Sequence, residues 1–186
     1  MSANSADECD RQGPCRRCRF LTISQAAVIK RWKDRPVNTE NGTDSDGPLR
    51  ILFVCLANLC RSPMAAVIVK TFHNGAIAAD SAGIVPAVGP VFPEMAAVVR
   101  ELYGTDMSGH RPRHVLDFPV AKYDFIIAMD SSIFMRLSEM PEIPQDRLLG
   151  WEVADPAGLG FEAYERTAFL IEENLENFLD QIGEGA

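Results

Sequence analysis

The chain has no apolar run long enough to cross a bilayer as a helix, which takes roughly 18 or more residues. It has no cysteine after Cys60, and three of its five cysteines crowd into the N-terminus as Cys9, Cys15 and Cys18. Five and then two residues separate those three, and no nearby His or Cys supplies the fourth ligand a structural zinc requires. No metal site is expected there. Positive charge is scarce over most of the length: residues 51–186 hold nine Lys/Arg against nineteen Asp/Glu, while residues 1–50 hold nine against seven. So acidic a body argues against general nucleic-acid binding and against anionic membrane surfaces. Arg16-Arg17 ahead of Phe20-Leu21 is similar to an export signal, but Gln25 and Lys30 interrupt what would be its apolar region, so export is not expected.

What is present divides in two. Residues 1–49 are expected to form a largely disordered N-terminal extension, dispensable for chemistry. It comprises a polar stretch to Arg19, one short amphipathic helix within Phe20–Trp32, and a linker at Pro36–Pro48 rich in Asn, Gly, Asp and Ser. Residues 50–186 then alternate strand and helix. Strands are expected at Ile51–Cys55, Ile77–Ser81, Phe125–Met129 and Arg147–Leu149, and helices at Pro63–His73, Phe92–Tyr103, Ser131–Met140 and from Phe161 onward. In the last helix Phe161, Tyr164, Ala168, Ile171, Leu175, Phe178 and Ile182 recur at steps of three and four, with glutamates off the stripe. Apolar strands alternating with helices imply an α/β fold: a four-stranded parallel sheet with helices on both faces.

The stretch Ile51–Lys70, ILFVCLANLCRSPMAAVIVK, concentrates the chemistry. A buried strand runs into a short loop and then a helix, with Ser62 expected at the N-cap and Pro63 in the first turn. Unpaired first-turn N–H groups and the helix dipole make such a loop an anion cradle. Cys55 and Arg61 stand at its two ends: a nucleophile whose thiolate the loop amides and the guanidinium would favour, and a fork-shaped cation that grips two phosphate oxygens. This is a phosphate-binding loop equipped for phosphate-monoester cleavage through a cysteinyl phosphate.

Phe53-Val54-Cys55 leading to Asn58 and Cys60-Arg61-Ser62-Pro63, then Ser81-Ala82-Gly83, His110–Arg113, Ala128-Met129-Asp130 and Asp155-Pro156, occur in this order over residues 50–182. In these the chain resembles the low-molecular-weight protein tyrosine phosphatases. The resemblance implies a protein-tyrosine-phosphatase acting on phosphotyrosine proteins, with Cys55 as nucleophile, Arg61 as phosphate clamp and Asp155 as general acid and then base. It also implies that Leu56, Ala57, Asn58, Leu59 and Cys60 wrap the phosphate, that Ser62 bonds the leaving thiolate, and that Asn58 pins the loop with His110 beside it. A surface role for His110 stays open. Asp130, between a strand and a helix, is read as an N-cap.

The departures bear on specificity. Ala57 stands where the family usually has Gly, at a cost of about 1 kcal/mol if that backbone needs positive φ. Ala157 replaces an aromatic residue that many tyrosine-specific members carry after Asp-Pro. Leu59 favours phosphotyrosine over phosphoarginine, since arginine-phosphatase members have Thr there. The alternatives are an arsenate reductase on the same fold, a protein-arginine phosphatase, and a catalytically silent phosphate-binding module. Cys60 has two open readings: packing beneath the loop, or a protective disulfide with Cys55. No metal or organic cofactor is implied, and a reactive thiol that must stay reduced fits the cytoplasm.

Overall fold

The computed structural model describes residues 27–31, 33, 48–73 and 75–183. The cysteines at 9, 15 and 18, the linker at 36–47 and most of the expected 20–32 helix lie outside them; residues 27–31 and 33 are helical. No helix among the described residues is long and apolar enough to cross a membrane.

Four strands form one parallel sheet in the order β2-β1-β3-β4: β1 Leu49–Cys55, β2 Ile77–Gly83, β3 Phe125–Ala128 and β4 Leu148–Gly150. Central β1 pairs with β2 along its whole length, ending at Cys55 opposite Gly83, and with β3 from Ile51 to Val54. Because alternate strand residues face opposite sides, Ile51, Phe53 and Cys55 join one buried cluster and Leu52 and Val54 join another. The first cluster is covered by α1 (Arg61–Phe72), α2 (Pro93–Tyr103) and α4 (Phe161–Ile182), the second by α3 (Ser131–Ser138). Helices therefore lie on both faces, as the strand–helix alternation predicts.

Most boundaries agree with the sequence reading to within two residues. Gly104, at φ 64°, ends α2 in the left-handed conformation that glycine accepts without steric cost. In α4 the apolar stripe is buried from Tyr164 to Ile182, but Phe161 is an exception, 37% exposed in the first turn. Short 3-10 turns at Val115–Asp117, Val120–Lys122 and Gln145–Arg147 were not anticipated. They are too brief to leave a periodic pattern.

Candidate active site

The loop from Leu56 to Cys60 leaves the carboxyl end of β1 and returns directly into α1. That helix is buried continuously from Arg61 to Val69. A helix apolar on all sides has to lie inside the protein, which fixes the loop above it. Ser62 does not cap it. The helix starts two residues earlier than expected, at Arg61, with Cys60 at the N-cap and no side-chain cap, and the Ser62 hydroxyl is drawn elsewhere. It lies 3.0 Å from the Cys55 sulfur and 3.0 Å from the Ala82 carbonyl oxygen, and it accepts a bond from Asn58 Nδ2 at 3.0 Å. With one proton and two acceptors, the hydroxyl can serve the carbonyl when Cys55 is a thiol and the sulfur when it is a thiolate. The Asn58 backbone N–H also donates to the sulfur, at 3.3 Å.

Asn58 is fully buried and, among the described residues other than glycine, alone has positive φ, at 57°. Asparagine tolerates that region better than most residues. Ala57 has no positive φ, so the cost anticipated there does not arise. The Asn58 side chain bonds the Ser62 and Ser81 hydroxyls and accepts from the Arg113 N–H at 3.1 Å. His110 Nε2 sits 2.8 Å from the Asn58 carbonyl oxygen. Burial holds the His110 imidazole below its ordinary pKa, with the Arg111 and Lys70 charges in the same direction, against the raising effect of the Asn58 bond.

Gly83 has a packing role that its sequence does not announce. A Cβ there would meet the Leu56 oxygen at 2.9 Å, the Asn58 nitrogen at 3.0 Å and the Ala57 carbonyl carbon at 3.1 Å, all of them backbone atoms of the loop. The loop is also tied to the segment after β2 by Val85 N to Leu56 O at 2.9 Å and Ala87 N to Ala57 O at 3.1 Å.

Arg61 is 4% exposed. One terminal nitrogen donates to Asp130 Oδ2 at 2.6 Å and to the Val153 carbonyl at 3.0 Å, and the other to Asp155 Oδ2 at 3.1 Å. Burial would make the guanidinium easier to deprotonate, but Asp130, Asp155 and the Cys55 sulfur outweigh it and strengthen its hold on the proton. Asp130 does cap α3, through Oδ1 to the Ile133 N–H at 2.9 Å, as read from the sequence. Its pairing with Arg61 was not foreseen. Burial pushes the Asp130 carboxyl up, yet bonds from the Ser132 hydroxyl, the Ile133 N–H and Arg61 leave it below the usual carboxylate range.

Asp155 lies beyond β4 on a run pinned by Trp151 N to Ala128 O at 2.8 Å and Val153 N to Met129 O at 2.9 Å. Its side chain remains 45% exposed. Leu56, Ile133, Arg61, Asp130 and Asp155 border a cleft of about 430 Å³. Leu59 is half-buried and Ala157 exposed. Cys60 is buried, with its thiol 3.6 Å from Asp155 Oδ1; burial first, then the Cys55 and Asp155 charges, push its pKa up to about 12. Among the described residues, two buried side-chain polar atoms have no hydrogen-bond partner: Arg61 Nε and the Tyr164 hydroxyl.

Comparison with known proteins places this arrangement. The family described as low molecular weight phosphotyrosine protein phosphatase matches residues 50–186. A low molecular weight protein-tyrosine-phosphatase of Bacillus subtilis is 32% identical over 151 residues, covering 72% of this chain and 96% of that protein. A glutaredoxin arsenate reductase of Synechocystis is 30% identical over 134 residues, covering 72% and 98%. The crystal structure of a low molecular weight protein tyrosine phosphatase from T. tengcongensis superposes with a TM-score of 0.62 at 30% identity, covering 74% of this chain and 99% of that one. With Cys55, Arg61 and the loop between them inside the matched region, the chain belongs to the low molecular weight phosphotyrosine protein phosphatase family.

Proposed function

We propose that the chain hydrolyses phosphotyrosine in proteins through a cysteinyl-phosphate intermediate. One observation carries this reading: a buried guanidinium, with Nε unpartnered, sits at the loop that opens with Cys55 and beside Asp155. A buried donor without a partner costs about 1–3 kcal/mol, and a phosphate oxygen would relieve that cost. An arriving dianion competes with Asp155 for Arg61, and Asp155, released and carrying a proton taken up from solvent, is then free to face the leaving group.

Cys55 attacks phosphorus as a thiolate, the S–P bond forms and the P–O bond to the phenol breaks. Asp155 supplies the proton, a large help for a leaving group whose conjugate acid has a pKa of about 10. In the second step Asp155 takes a proton from water, water attacks phosphorus, and Cys55 departs as a thiolate stabilised by the Ser62 hydroxyl and the Asn58 N–H. Arg61 spreads the charge of both transition states over two oxygens. All groups needed are protein side chains and water. The dependence on a reduced thiol suits the cytoplasm.

Leu56 and Ile133 give the cleft an apolar wall that an aromatic ring can pack against. Arsenate reduction is the second reading, favoured by the Synechocystis relative. A reductase drawing its thiol from outside the chain would not need the cysteines missing after Cys60. Hydrolysis of p-nitrophenyl phosphate by the wild type and by Cys55→Ser, across pH, tests the main reading. The variant should lose all turnover, and retained turnover means the nucleophile is another group. Arsenate-dependent oxidation of added thiol would favour the reductase.

A further inference from the structure

The helical residues 27–31 and 33 lie outside the family match, which begins at residue 50. The sequence reading takes the whole extension as dispensable for chemistry. Its described residues are nevertheless seated on the catalytic domain. Val28 is 6% exposed and belongs to the buried cluster that contains Leu149, Trp151 and Val153. Ile29 packs against the same cluster and shares a cavity of about 180 Å³ with Leu149 and Gly150 of β4, Trp151, and Phe178 of α4. Arg31 pairs with Asp146, in the turn just ahead of β4. One helical turn therefore grips β4 at both ends, before Leu148 and after Gly150. The charges are opposite in sign and so complementary, residues 1–50 being net basic and residues 51–186 strongly acidic.

Strand β4 is the element most in need of such support. It is three residues long and lies at the end of the strand order, with β3 as its one neighbour in the sheet among the described residues. The run leaving it delivers both the Val153 carbonyl that accepts from Arg61 and the Asp155 carboxylate. Trp151 also meets Phe53 of β1, ring centroids 5.5 Å apart, two residues before Cys55. A shift of β4 would reach the proton donor and the clamp while leaving the nucleophile's own hydrogen bonds intact.

We propose that the helical residues 27–31 are a positioning element for Asp155, holding β4 and the run 151–155 in register through Val28, Ile29 and Arg31. The proposal rests on the phosphatase reading for its catalytic consequence. The test uses the full chain with Val28→Asp, with Arg31→Glu as a milder variant and Arg31→Glu/Asp146→Arg as its reversal. Two quantities are read: amide hydrogen exchange over residues 148–155, and kcat/KM for phenyl phosphate and p-nitrophenyl phosphate. Phenolate departs poorly without a proton and p-nitrophenolate readily, so a misplaced acid lowers the first substrate selectively. Expected for Val28→Asp are faster exchange at 148–155 and a loss of about tenfold on phenyl phosphate with less than about threefold on p-nitrophenyl phosphate. Arg31→Glu should move both quantities the same way by a smaller factor, and the reversal should restore them. Unchanged exchange in both variants would overturn the docking. Faster exchange with equal loss on both esters, or none, would reduce the stretch to a structural brace and overturn the positioning role. A wild-type chain inert on both esters would bring down the phosphatase reading, and this proposal with it, whatever the exchange shows.

Discussion

Replacing Gly83 with alanine tests whether the phosphate loop is held by close backbone contact. Gly83 lies outside the left-handed region, so alanine meets no conformational penalty there and the substitution isolates the contact. Ordinary contacts begin at 3.4 Å, and the new methyl would stand 2.9 Å from the Leu56 oxygen, so a movement of roughly 0.5 Å is required. No flexible side chain can absorb it, since all three nearest atoms are backbone. Leu56 O and Ala57 O are bonded to Val85 N and Ala87 N, and Asn58 N to the Cys55 sulfur, so yielding strains or breaks those bonds. Overpacking of this kind costs about 1–3 kcal/mol, equivalent to a drop of roughly 3–10 °C in Tm for a chain of this size. Displacing the loop amides should lower kcat/KM for an aryl phosphate by about 10- to 100-fold. Thermal denaturation and steady-state kinetics read the two effects. Wild-type activity in Gly83→Ala would show that the loop tolerates displacement, and the argument from close approach would fail.

Asn58→Ala should destabilise by roughly 2–4 kcal/mol in urea unfolding, from a stranded Arg113 N–H and an alanine at positive φ. Asn58→Gly should recover about 1 kcal/mol of that; equal losses would mean that φ carries no cost. His110 titrates lower in the folded chain than unfolded, so the unfolded state binds the proton first as pH falls. Stability should therefore decline below about pH 6.5, the ordinary histidine value, down to the depressed folded value, and urea midpoints of His110→Gln should show a shallower decline. Leu59→Thr should lower phosphotyrosine hydrolysis and raise phosphoarginine hydrolysis; parallel changes would remove Leu59 as a determinant.

What the sequence conveyed was what neighbouring residues encode. The apolar run of β1, the loop from Cys55 to Arg61 and the stripe of α4 are local patterns, and each reappears in place. The misreadings arise where a distant partner outweighs a local preference. Ser62 before Pro63 looks like an N-cap until the sulfur seven residues back and the Ala82 carbonyl claim its hydroxyl. Asp130 satisfies its capping rule and also reaches Arg61, 69 residues away, a pairing that periodicity does not encode. Positive φ was suspected at Ala57, where glycine is usual, and falls instead on Asn58, whose carbonyl and side chain are anchored by His110, Arg113 and Ser81. Gly83 was noted as part of a signature with no physical reason attached; the reason is a contact 27 residues back along the chain.

Placing β1 at the centre of the sheet and the proposed proton donor, Asp155, beyond its last strand gives the two halves of the proposed chemistry unequal mechanical freedom. The sulfur and its cup are clamped from left and right, so a mutation that loosens them jeopardises folding itself. The carboxylate hangs from the margin, where substitutions are cheap. Changes at that margin can move the carboxylate without unpicking the centre of the sheet.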